Sequence, residues 1–156
     1  MKKTHHTFKF KVQPLLRKKE FTEDIKIQKY PYIPVRLYYN SERTPIIEGL
    51  VDSGSDVLHI PKAIAESIHL PQKKIIESNS TGGKYECYET EVGLILGRGG
   101  RESDLGIVKA VFPTEYQDHP LIVGRHPLFE EFQVIFEEFN EKFKLIPKEE
   151  VLKKKK

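Results

Sequence analysis

The chain has 156 residues and one cysteine, Cys87. It is long enough for one domain with a sizeable core, and it excludes both an intrachain disulfide and a Cys-rich zinc site. The net charge is +3; the lysines at 153–156 supply +4 and leave −1 for the rest, so no basic body is present to hold nucleic acid.

Ten prolines, ten glycines and no tryptophan point to a turn-rich, mostly β domain whose large core side chains are Phe and Tyr. A single thiol is the usage expected in a reducing, cytoplasmic setting. No stretch approaches the ~20 apolar residues that span a bilayer, so no membrane partner is expected. The basic start, Met1 to His6, is not followed by the apolar run of a secretory signal.

Phe8, Phe10 and Val12 alternate with lysines, which predicts a half-buried strand. Residues 13–24 read as a loop, Ile25 and Ile27 as the start of a second strand, and Val35, Leu37 and Tyr39 as a third. Asn40 to Pro45 is a turn, and Ile46 to Val51 an apolar strand running into Asp52-Ser53-Gly54-Ser55-Asp56. Val57 to Ile60 returns as strand. Pro61 to Leu70 reads as helix, with Ile60, Ile64 and Ile68 along one face.

Lys73 to Glu77 is followed by a turn-rich tip, Ser78 to Gly83, and strands at 84–90 and 92–96. After a Gly-rich turn at 97–100 come strands at 107–112 and 121–124, a helical turn at 127–131, and a terminal hairpin of 132–136 and 143–145 turning near Asn140. This gives about nine short strands and one real helix. The expected division is an N-terminal extension (1–24), one domain (25–147) and a disordered basic tail (148–156).

A carboxylate on a turn directly after a buried strand is held rigidly and partly desolvated. In Asp52-Ser53-Gly54-Ser55 the glycine permits a tight turn, and the two serines offer hydroxyls to bond the carboxylate. The same residues also suit an ordinary Asx-turn with no chemistry attached.

Asp52-Ser53-Gly54-Ser55 after an apolar strand resembles the active-site motif of the retroviral-type aspartic proteases, the retropepsins. Their second motif, an apolar run ending in Gly-Arg, is matched by Leu121-Ile122-Val123-Gly124-Arg125. Strand, short helix, glycine-tipped hairpin and strands lie between the two in the family's order, and Pro127-Leu128-Phe129 looks like its short helix. The resemblance covers about residues 33–147.

The resemblance implies a retropepsin-like closed β-barrel with one short helix and a glycine-tipped flap hairpin. It further implies an aspartic endopeptidase acting on a polypeptide, with no cofactor and no metal. Asp52 matches the catalytic aspartate, and Ser53 and Gly54 the residues that brace it. Gly82 and Gly83 look like the flap tip. Ser55, Asp56 and Tyr85 fall where substrate is held. Arg125, beside Gly124, matches an arginine that packs against the active-site loop, and Asp56 stands where its acidic partner is often found, so a bidentate fork between them is expected. The family commonly has Asp or Asn after Gly-Arg; here it is His126, which bears on assembly more than chemistry.

The chemistry needs two carboxylates, and the chain has one Asp-Ser-Gly. The expectation is therefore a homodimer with a two-fold axis between two copies of Asp52. The terminal hairpin and the Phe8–Val12 strand are candidates for its interface. Two other functions fit the same sequence: a protease-fold module that binds peptides or dimerises without cleaving, and an unrelated β-barrel binding module. The six histidines fall in separate segments with no zinc-motif spacing, and Cys87 has no local motif of a nucleophile.

Overall fold

The computed structural model describes residues 3–12, 29–80 and 82–156. The loop expected at 13–24 and the strand at Ile25 and Ile27 lie outside them. Strand occupies 55% of the structure against 16% helix, so the mostly β expectation holds.

In chain order the strands are β1 (His6–Lys9), β2 (Lys11–Val12), β3 (Lys29–Tyr30), β4 (Tyr32–Tyr39), β5 (Glu42–Arg43), β6 (Ile47–Val51) and β7 (Leu58–His59). After helix α1 (Lys62–Ser67) come β8 (Lys74–Ser80), β9 (Gly83–Arg98), β10 (Arg101–Pro113) and β11 (Leu121–Val123). A short helical segment (Arg125–Phe129) leads to β12 (Phe132–Glu137), β13 (Lys142–Pro147) and helix α2 (Lys148–Lys153). No helix among the described residues is long and apolar enough to cross a membrane.

The main sheet runs β5-β4-β6-β11-β7-β10-β9-β8, and β4 pairs with β9 as well. One side of β4, through Ile33, Val35 and Leu37, is fully buried. It packs with Leu58, Ile60, Leu94, Leu96, Phe112 and Leu128 in one core. Burying such a side chain contributes about 1.5–3 kcal/mol each, which makes this layer the platform that the loops rest on. The strands expected at 84–90 and 92–96 are one strand, β9, because it finds partners along its length: β8 near one end, β10 through the middle, and β4 near Leu96.

The helix is shorter than the periodicity predicts. Pro61 precedes it with extended backbone, and His69 at φ 54 leaves the helical region beyond it. Ile60 and Ile68 still bury the expected face.

Both ends of the chain carry regular structure. Within the expected N-terminal extension, β1 pairs with β13 from His6↔Leu145 to Lys9↔Lys142 in the sheet β1-β13-β12. Its cause is aromatic, since Phe8 and Phe10 lie 5.3 and 6.2 Å from the buried Phe143 ring. The basic tail is not irregular throughout: residues 148–153 form α2. Glu149 and Glu150 sit in its first turn and Lys153 in its last, each sign matching the helix dipole. Glu131 binds both Lys3 and Lys148, joining the two ends.

His6 is buried; its Nε2 lies 3.0 Å from Thr4 Oγ1 and 3.1 Å from Ser103 Oγ. Burial, helped by His5 and Arg101, pushes its pKa below the ordinary histidine value of 6.5. The unfolded chain therefore binds a proton first. The contribution of His6 is fully present above pH ~6.5 and is lost as pH falls from there through the folded value. Thermal melts at pH 7.5 and 5 are expected to show wild type losing more stability than His6→Gln. An identical loss in the two proteins refutes this.

Candidate active site

The site is built where β6 ends. Parallel pairing sets Leu121↔Gly49, Ile122↔Leu50 and Val123↔Val51. The ladder carries on past the strand: the Asp52 N–H donates to the Val123 carbonyl at 3.1 Å. Val51 is buried and Asp52 half-buried, so the carboxylate emerges from the edge of the core. The Gly54 N–H donates to Asp52 Oδ1 at 2.8 Å. This is Asx-turn geometry, and it also fixes the orientation of the carboxylate.

The serines act differently from the expectation. Ser55 Oγ donates to the Val57 carbonyl at 2.9 Å and so braces the loop, while Ser53 is exposed. Orientation of the carboxylate comes from backbone, through Gly54.

The chain after β11 clasps this loop. The Arg125 N–H donates to the Ser55 carbonyl at 2.7 Å and the His126 N–H to the Asp56 carbonyl at 2.9 Å. Gly124 immediately precedes them, and a Cβ there would stand 2.4 Å from the Val57 carbonyl oxygen and 2.5 Å from that of Ser55. Only glycine allows so close an approach of the two segments. The expected Arg125–Asp56 fork is not formed. One Nη1–Oδ1 contact at 3.8 Å joins side chains that are 66% and 89% exposed, a pair that contributes little. The backbone bonds do the tying.

Asp52 opens into a cleft of about 920 Å³. Gly54, Ser55, Asp56, Val57, His59 and Ile122 line it on the side of the aspartate, and Val111 of β10 also faces it. The β8–β9 hairpin supplies Ile76, Ser78, Asn79, Ser80 and Tyr85. Gly82 and Gly83 form the hairpin tip, outside the lining, and Gly83 has φ +117, which favours glycine. Of the residues singled out in the sequence, Asp52, Gly54, Ser55, Asp56 and Tyr85 share the cleft. Gly124 and Arg125 stand behind it.

His59 was not singled out as a site residue. Its neighbours Leu58 and Ile60 are buried in the core, so the strand alternation turns His59 toward the cleft. Tyr85 Oη lies 3.2 Å from its Nδ1. Burial and His119 lower its pKa, against the opposing pull of Asp52 and Asp56. The alternation Leu58-His59-Ile60, directly after the Asp52 loop, is the sequence signal that points to it.

Cys87 is fully buried, and burial pushes its thiol up to about 11. The thiolate is the reactive form, so native Cys87 is expected to react with a thiol reagent at pH 8 at least ~100-fold more slowly than in urea. Equal rates refute this.

No family model and no curated protein matches the chain. Among solved structures, a retropepsin-like aspartic protease from Rickettsia conorii aligns with 93% of this chain and 94% of its own, with a TM-score of 0.49 and 13% sequence identity.

Proposed function

We propose that this chain is one half of an aspartic endopeptidase, which hydrolyses peptide bonds with a water activated by two copies of Asp52. The observation that carries this reading is the setting of that carboxylate: fixed by the Gly54 N–H, anchored by β11, and facing a cleft beneath a hairpin. The motif resemblance of Asp52-Ser53-Gly54-Ser55 and Val123-Gly124-Arg125 agrees with it.

A single carboxylate cannot be base and acid at once. In the proposed isologous dimer the two Asp52 groups share one proton, since like charges about 3 Å apart do not both ionise. The ionised member takes a proton from water as it attacks the scissile carbonyl. The protonated member hydrogen-bonds that carbonyl and passes its proton on as the amide leaves. The substrate lies extended along the hairpin strands, held by main-chain bonds, with Ser55, Asp56, Tyr85 and the tip Gly82-Gly83 as its contacts. Gly124 and Arg125 support the loop.

The test uses dilution. Cleavage of an unfolded protein substrate at pH ~4 to ~7, divided by enzyme concentration, should fall as the enzyme is diluted, in step with dimer loss in sedimentation. Full specific activity from a species that sediments as a monomer contradicts the proposal. Intact dimers that bind peptide but cleave nothing favour the non-cleaving module.

A further inference from the structure

Strand β7 places His59 in the same cleft as Asp52, near enough to feel its charge. The residues paired with it are Val111 and Ile122, both apolar. An aliphatic residue would complete that wall at lower desolvation cost. The imidazole is instead held by Tyr85 across the cleft at 3.2 Å.

The tautomer follows from the partners. A phenol hydroxyl is a better donor than acceptor, and the imidazole Nδ1 at 3.2 Å is a good acceptor in its reach. Tyr85 therefore donates to Nδ1, and in the neutral ring Nε2 carries the hydrogen. Among the described residues Nε2–H has no acceptor. His59 is half-buried in the lining of the cleft, where a bound side chain can come within reach of it.

We infer that His59 is a specificity-determining residue, whose Nε2–H selects substrates carrying a side-chain hydrogen-bond acceptor in the subsite it shares with Asp52. The acceptor class is an amide or hydroxyl: Asn, Gln, Ser or Thr. The inference rests on the peptidase reading, and it deepens it. In a two-fold symmetric dimer His59 occurs twice, so the preference falls at one position on each side of the scissile bond.

Paired peptides that differ only in Asn against Leu at successive positions provide the probe, because the two side chains match closely in shape. Cleavage by wild type is measured alongside binding of the same labelled peptides to Asp52→Asn. Wild type is expected to favour Asn over Leu about fivefold to tenfold at those positions. His59→Val, in both backgrounds, should reverse the order. Tyr85→Phe, which keeps the ring and removes the hydroxyl that orients His59, should shrink the preference, and it carries the test if His59→Val does not fold.

Asp52-dependent cleavage with no acceptor preference, or with one that His59→Val leaves intact, overturns the inference and leaves the peptidase reading standing. A His59-dependent Asn preference in binding, from a protein that cleaves nothing, overturns the peptidase reading and with it the role of His59 in substrate specificity. Peptides that neither bind nor are cleaved overturn both.

Discussion

Asp52→Asn is expected to reduce peptide hydrolysis by at least about 10³-fold while leaving the fold intact, because both copies lose their ionisable group and general acid–base catalysis contributes ~10²–10⁴. The fold should tolerate it. An asparagine carbonyl can accept the Gly54 N–H as Asp52 Oδ1 does at 2.8 Å, and the Asp52 N–H still reaches Val123. Melting temperature and circular dichroism should match wild type. Cleavage that survives in Asp52→Asn, once contaminating proteases are excluded, removes Asp52 from the chemistry.

Mixing sharpens the experiment. Equal amounts of wild type and Asp52→Asn, allowed to exchange, form dimers in statistical proportion. If both carboxylates are needed, activity falls to about one quarter of that of the same total of wild type, since only dimers with two intact copies work. If each chain acts alone, it falls to about one half. The difference between these outcomes tests the symmetry of the site, which the single substitution does not.

The parts of this site that were legible in the sequence are the ones set by local pattern. An apolar strand ending in Asp-Ser-Gly, and a second ending in Gly-Arg, locate Asp52 and Gly124 because both depend on neighbours a few residues away. The hairpin tip at Gly82-Gly83 is of the same kind. What escaped depends on residues distant in the chain. β1 was readable as a strand, yet nothing in Phe8 or Phe10 names Phe143 as the ring they pack on. The fork between Arg125 and Asp56 looked sound as a charge pair. The structure ties the two segments through the Arg125 and His126 N–H groups instead, and backbone donors leave no trace in residue identity.

His59 shows a different failure. A histidine invites the question of metal, and the six carry no zinc-motif spacing. The strand period was the better guide: with Leu58 and Ile60 committed to the core, His59 faces the cleft whatever its chemistry. α2 was obscured by charge. Its acidic start and basic end suit a helix, but four terminal lysines made the segment read as solvated tail.

The clasp behind Asp52 makes its own prediction, at Gly124. The backbone there is extended, at φ −93 and ψ −165, so alanine meets no conformational objection. The objection is contact. Its methyl would stand 2.4 Å from one carbonyl oxygen and 2.5 Å from another, and both belong to the backbone of the Asp52 loop rather than to a side chain free to turn away. Relief requires the loop and the β11 exit to separate, stretching the bonds from Arg125 to Ser55 and from His126 to Asp56. Gly124→Ala is therefore expected to cost about 3 kcal/mol, the upper end for overpacking. In a domain of this size that lowers the melting temperature by roughly 6–12 °C. Gly82→Ala is the control: its methyl would lie 3.6 Å from Ser80 Oγ, ordinary contact, and should change stability by less than about 0.5 kcal/mol. Gly124→Ala should also lose hydrolysis out of proportion to its stability at temperatures where it remains folded, because the same displacement moves the carboxylate, and a shift of about 1 Å costs ~10²-fold. A Gly124→Ala protein that melts and cleaves like wild type shows that this loop is not held by the close approach of the two backbones.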